Sequence, residues 1–283
     1  MLNYIRNKHL FLLWIIVAGV ILNGCGSKEA VKQYDPAEEF QEGMKKFQKK
    51  DYIEAIDNFK VITLQFQGSQ YADAAQYYMG ECRFLRKEYI LAAYEYEQLL
   101  KLMPNSPYCS KAQFQLATSY YKLSPPSHHD QNYTNKAIDA YQAFLEYFPT
   151  DSLVSVAEER IREMNTKLAK KDYDSGIIYM KMGYYRSAAY YFDIVLNKYH
   201  DTYYAEPALL KKAEALYYRK MYSEADETIR LFIEKYASSS RLKDALSLQS
   251  KIKAGIAAEL EESRKPKKTE HASEQLQKKD SSQ

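Results

Sequence analysis

One short pattern recurs along the chain and restricts its fold more than any other feature. Asp51-Tyr52-Ile53-Glu54-Ala55-Ile56-Asp57-Asn58-Phe59 returns as Glu88-Tyr89-Ile90-Leu91-Ala92-Ala93-Tyr94-Glu95-Tyr96, and again as Tyr184-Tyr185-Arg186-Ser187-Ala188-Ala189-Tyr190-Tyr191-Phe192. Asn135-Lys136-Ala137-Ile138-Asp139-Ala140-Tyr141 is a shorter copy and Met221-Tyr222-Ser223-Glu224-Ala225 a looser one. In each copy the Ala precedes, by four residues, Phe59, Tyr96, Tyr141, Phe192 or Ile229, so both fall on one helical face. Eleven residues after each Ala stands Phe66, Met103, Phe148, Tyr199 or Tyr236. Three further on comes Ser69, Ser106, Asp151, Thr202 or Ser239, all residue types that cap helix N-termini. Five such units make a helical repeat protein.

Composition agrees. Tyr occurs 28 times and Gly nine times in 283 residues, which suits helices packed through aromatic side chains rather than a turn-rich β fold. A net charge of +3, with no basic stripe interleaved with stacking aromatics, argues against nucleic acid as a partner. Cys25, Cys82 and Cys109 are too few for a disulfide framework, and Cys82 and Cys109 are expected as free thiols inside helices.

The first 24 residues read as a leader rather than as part of the fold. Arg6, Lys8 and His9 precede an uncharged apolar run, Leu10 to Leu22, which falls short of the ~20 residues that span a bilayer. It ends in Leu22-Asn23-Gly24-Cys25, which resembles the bacterial lipobox. That resemblance implies a diacylglycerol thioether and an N-acyl chain on Cys25, a short polar tether over 25–33, and anchoring by lipid alone. Gly26, Ser27 and Lys28 carry no Asp beside the Cys, which favours the outer membrane, facing the periplasm.

The repeat domain is expected over 34–260, opening with Asp35-Pro36 as cap and first helical turn. Twelve residues before the motif Ala stand Gly43, Gly80, Gly176 or Ala213, small enough for the first helix of a unit to press on the second. Eight before it stand Phe47, Phe84, Met180 or Tyr217. Helix–turn–helix units of this kind, with Pro104 and Pro149 following two of them, resemble tetratricopeptide repeats.

Two intervals are long. In the third unit the small residue is Ala117, and two consecutive prolines in 123–131 predict a protruding loop between its helices. Asp151 to Lys171 has no Gly or Pro and reads as a long or extra helix capped by Asp151 or Ser152. A closing helix, Arg241 to about Leu260, is expected behind Ser238-Ser239-Ser240 to cover the end of the stack. Residues 261–283 are polar and expected to be without structure.

Nothing in the chain announces catalysis. It lacks a phosphate-binding glycine loop, Gly-x-Ser-x-Gly and His-Glu-x-x-His, and His128-His129-Asp130 reads as a polar loop tip rather than a metal cluster. Binding is the better expectation. First-helix positions would line a groove for an extended or helical peptide: Phe40, Met44 and Phe47, then Tyr77, Glu81 and Phe84, then Tyr173, Ile177 and Met180, then Leu210, Glu214 and Tyr217. Periodicity alone leaves groove and core open at these positions.

The order of parts narrows the choice. A lipoprotein leader, a short tether, an enlarged third unit and a long helix before the fourth resemble the BamD family of outer-membrane assembly lipoproteins. The particular matches are Tyr133 and Thr134, then Asn135 to Gln142, Phe144 to Pro149, and Leu168 to Tyr173 leading through Tyr179 and Gly183-Tyr184-Tyr185. That resemblance implies a component of the β-barrel assembly machinery. Its first units would receive unfolded outer-membrane proteins, and units 4 and 5 would dock the POTRA domains of the insertase, beside other lipoproteins of the machine. The second reading is a periplasmic repeat-scaffold lipoprotein of cell-envelope construction, division or pilus assembly.

Overall fold

The computed structural model describes residues 34–264. Asp35 caps the first helix by accepting the Ala37 N–H, and Pro36 fills the first position, where its missing N–H is no loss. Eleven helices follow one another among the described residues, and each packs on the next.

Units 1 and 2 are α1 (Pro36–Gln48) with α2 (Tyr52–Gln65), and α3 (Ala72–Leu85) with α4 (Tyr89–Leu102). Unit 3 is α5 (Cys109–Leu123) with α6 (Asn132–Tyr147). Then come α7 (Val154–Lys181) with α8 (Tyr185–Lys198), α9 (Ala205–Tyr218) with α10 (Tyr222–Lys235), and the closing α11 (Leu242–Arg264). The architecture is an all-α stack of helical pairs.

The repeated residues form its cores. Ala55, Ala92, Ala137, Ala188 and Ala225 are fully buried, as are Phe59, Phe192 and Ile229, with Tyr96 and Tyr141 beside them. Each such ring removes enough apolar surface from water to contribute roughly 1.5–3 kcal/mol. The small residues opposite are required by contact: a Cβ added at Gly43 would stand 2.7 Å from the ring of Phe59, and one at Gly176 2.5 Å from Phe192. Gly80 lies equally close to Tyr96. At the turn inside a unit, the next aromatic along the first helix meets the second helix, in Phe47–Tyr52, Phe84–Tyr89 and Tyr217–Tyr222.

The capping residues sit two positions earlier than an N-cap. Ser69, Ser106, Asp151, Thr202 and Ser239 each stand three residues ahead of a helix and accept, on the backbone carbonyl, the N–H of its first residue at 3.1–3.2 Å. Side-chain oxygens of Ser69, Ser106, Asp151 and Ser239 also accept the N–H two residues on. They cap a tight leading turn, and Thr202 instead donates to the Tyr199 carbonyl.

The long segment before unit 4 is not a separate helix. It runs without a break into the first helix of that unit, giving α7 its 28 residues. Ala157, Met164 and Leu168 pack into the core of unit 3, while Ala169, Tyr173 and Ile177 pack into that of unit 4. One rod thus joins two cores.

The loop of unit 3 does not protrude freely. Lys167 on α7 donates to Ser124 Oγ at 2.8 Å, and Lys171 to the His129 carbonyl at 3.1 Å. Gln131, only 4% exposed, donates to the Pro126 and His129 carbonyls and accepts from Thr134. The closing helix is longer than expected, continuing through Glu261 to Arg264. The leader, Cys25, the tether and the tail beyond Arg264 lie outside the described residues.

Candidate functional site

The first helices of the units carry all twelve groove candidates, and two different surfaces result. Over units 1 and 2 the candidates join an aromatic network. Phe40 stacks on Tyr71 at 5.3 Å between centroids and also meets Phe59 and Tyr78; Phe47 meets Tyr78 edge-on at 5.2 Å. Tyr77 stacks on Tyr108 of the next unit at 5.0 Å. Met44 and Phe84 pack half-buried against the cores of units 1 and 2.

Glu81 lies between units. Its Oε1 accepts the Tyr96 hydroxyl at 2.7 Å and Gln115 Nε2 of unit 3 at 2.8 Å. Burial, with the neighbouring Glu81 carboxylate second, drives the Tyr77 and Tyr96 phenols well above their ordinary range, so both remain protonated donors. Tyr71, Tyr78 and Tyr108 belong to this network although sequence reasoning did not single them out. Tyr71, Tyr108 and Tyr204 share one place, immediately before a first helix, and that register was a usable signal.

Over units 4 and 5 the candidates border open space. Tyr173 is held between Phe192 and Tyr204. Ile177 and Met180 line a cleft of about 290 Å³ together with Lys181, Tyr185, Lys211, Glu214 and Tyr218. Leu210, Glu214 and Tyr217 line an adjoining cleft of about 350 Å³ that reaches Arg241 and, on α11, Asp244, Leu248 and Lys251. Lys211, Glu214 and Tyr218 border both. Five candidates therefore meet at one opening, floored by the buried Leu210.

The charges there are Lys181, Lys211, Arg241 and Lys251 against Glu214 and Asp244, an excess of cations. Lys211 is paired with Glu214 at 2.6 Å and Arg241 with Glu206 at 3.0 Å, so both are held rather than loose. Tyr185 and Tyr218, both in the lining of the first cleft, stack on each other at 4.8 Å between centroids. An extended chain offering apolar side chains and carbonyl or carboxylate oxygens fits such a lining. The contribution of α11 could not be read from its sequence, because a helix that covers a core leaves its other face unspecified.

Among the described residues no group of three or more His, Cys, Asp or Glu could hold a metal ion, and no helix is long and apolar enough to cross a membrane. Cys82 and Cys109 are buried free thiols; burial pushes Cys82 up to about 12.

A stack of helical pairs in which Gly43, Gly80 and Gly176 face the rings of Phe59, Tyr96 and Phe192, with clefts along its first helices, defines a tetratricopeptide-repeat protein; residues 207–239 match the tetratricopeptide repeat itself. Residues 32–218 match the YfiO family, and the chain belongs to that family of outer membrane lipoproteins. The outer membrane protein assembly factor BamD of Rickettsia prowazekii is 26% identical over 227 residues, covering 80% of this chain and 90% of that one. Among solved structures, a TPR repeats protein of Bacteroides fragilis is 13% identical, covering 78% of this chain and 99% of that one, with a TM-score of 0.42. The TPR2AB domain of yeast Sti1, solved in an Hsp90 complex, is 17% identical, covering 77% and 98%, with a TM-score of 0.37.

Proposed function

We propose that this lipoprotein serves the assembly of outer-membrane β-barrel proteins by binding and placement rather than by catalysis. Lipid on Cys25 holds it at the membrane. The aromatic face of units 1 and 2 receives unfolded barrel precursors, whose strands offer aromatic side chains to it. The clefts of units 4 and 5 dock the POTRA domains of the insertase, with room for other lipoproteins of the machine. Anchoring raises the effective concentration of precursor at the insertase.

The observation that carries this reading is the opening between α7, α9 and α11, where Ile177, Met180, Leu210, Glu214 and Tyr217 come together. A photo-crosslinking residue at Tyr218, which borders both clefts, is expected to capture a POTRA-bearing protein in intact membranes. The same probe at Tyr190, exposed on α8 away from the clefts, is expected to capture none. Capture of peptidoglycan enzymes or pilus subunits at Tyr218 would favour the envelope-scaffold reading instead.

A further inference from the structure

Leu64, Leu102 and Tyr147 are 64, 62 and 68% exposed at the carboxyl ends of α2, α4 and α6. These ends lie along one edge of the stack, because successive inter-unit turns are tied into a row. Asp73 in the first turn of α3 accepts from Ser106 in the following turn at 2.9 Å, and Asp151 in the next turn accepts from Ser110 of α5. In units 4 and 5 the last residues of the second helices are Lys198 and Lys235, and the turn between those units exposes Tyr203 instead.

The chain enters at this same edge. Pro36 begins α1 there, and Phe40 of its first turns stacks on Tyr71 of the turn between units 1 and 2. Residues 26–33 are all that separate Cys25 from Tyr34, at most about 30 Å of extended chain. An anchored protein on so short a tether keeps this edge near the lipid headgroups.

We propose that the edge bearing the inter-unit turns of units 1–3 rests on the lipid surface, with Leu64, Leu102 and Tyr147 inserted at the boundary of headgroups and acyl chains. The proposal rests on the reading of Cys25 as the lipidated residue. A lipid surface fits better than a protein here. The three side chains are separated by exposed polar turn residues such as Gln67, Asn105 and Thr150, so they form no continuous patch for a shaped partner. A deformable bilayer accepts such spaced insertions, and a Tyr ring suits its interface. This orientation turns the opposite edge, with Lys50, Lys87 and Lys220, towards the periplasm and leaves the first-helix clefts open from the side.

The sequence supplies a clean test, because its single tryptophan is Trp14 in the leader. Leu64→Trp, Leu102→Trp and Tyr147→Trp are made singly in the full lipidated chain, purified and reconstituted into vesicles of phosphatidylethanolamine and phosphatidylglycerol brominated near the headgroup end of the acyl chain. Ile53→Trp and Ile90→Trp serve as references; both sites are 58% exposed and lie about 17 Å away along the same helices, at the opposite edge. Flotation reports the anchor independently. Loss of most emission at 64, 102 and 147, with full emission at 53 and 90, is the expected result. Equal quenching at both edges, or none at either, with flotation intact would overturn the proposal and leave the anchor standing. Failure to float would overturn both.

Discussion

Gly176 on α7 lies so close to the ring of Phe192 on α8 that a methyl group on its α-carbon would stand 2.5 Å from the ring edge. Phe192 is fully buried and packs in the core of unit 4 with Ala169, Ala188 and Val195. Gly176→Ala must therefore part the two helices, and we expect a loss of about 1–3 kcal/mol, the usual range for overpacking. Gly68, in the turn between units 1 and 2, has nothing within 4 Å of an added Cβ. Gly68→Ala is expected to stay within about 0.5 kcal/mol of the parent. Urea denaturation of the lipid-free domain compares the two, and equal losses would contradict the contact argument.

The turns inside the units carry a second, opposite signature. Lys50, Lys87 and Lys220 adopt φ of 67°, 63° and 61°, where unit 4 places Gly183 at 76°. A side chain in that left-handed region costs roughly 1–2 kcal/mol, partly offset by the entropy that glycine loses on folding. Each Lys→Gly replacement should raise stability by about 0.5–1 kcal/mol, and Gly183→Lys should lower it by a similar amount. Thermal melts of the four variants would show the reverse order if local contacts of the Lys side chains outweighed the backbone.

How much of this was legible depends on the residue. The motif alanines and the aromatics four residues on were readable because a helix buried on one face imposes its period on the sequence, and all of them lie in the cores. The unbroken α7 was half legible: nothing between Leu168 and Tyr173 stops a helix, yet the spacing left both a long helix and an extra one open. Phe40 and Ile177 show where periodicity runs out. Both occupy first-helix positions, but Tyr71 and Tyr78 from the next unit cover Phe40, while a wider opening beside α9 leaves Ile177 at a cleft. That difference comes from contacts between units, which spacing within one unit does not encode. The clasped loop was missed for the same reason, since Lys167 and Lys171 approach it from α7.

Glu95 on α4 is 8% exposed and accepts Gln76 Nε2 at 2.8 Å. Burial pushes its carboxyl above the ordinary carboxylate range, and the Gln76 bond, with Arg83 and Lys60 nearby, offsets only part of that. A raised folded value makes the contribution of this group fully present below the unfolded value, about 4.3, and lost as pH rises through the folded value. At neutral pH an ionised Glu95 therefore weakens the fold. Glu95→Gln keeps an acceptor for Gln76, and its stability relative to the parent should be higher at pH 7 than at pH 4. A difference independent of pH would contradict the assignment.

Lys167 and Lys171 hold the 124–131 loop from outside, whereas Gln131 holds it from within. Replacing both lysines by Ala should speed amide exchange through the loop with little change in melting temperature. Gln131→Ala removes three hydrogen bonds at once, leaving the Pro126 carbonyl only the His129 N–H, the His129 carbonyl only Lys171 and the Thr134 hydroxyl only Ser124, and should cost about 1–3 kcal/mol. Exchange mass spectrometry and melting curves together separate these roles.

The central claim is that the protein works as a placed binding component of the barrel-assembly machine. The most direct test is a crosslink and detergent pull-down from membranes with the full lipoprotein as bait and partners quantified by mass. Near-stoichiometric recovery of a POTRA-bearing barrel protein is the predicted result. Recovery of peptidoglycan enzymes or pilus subunits in its place, with no insertase, would contradict it.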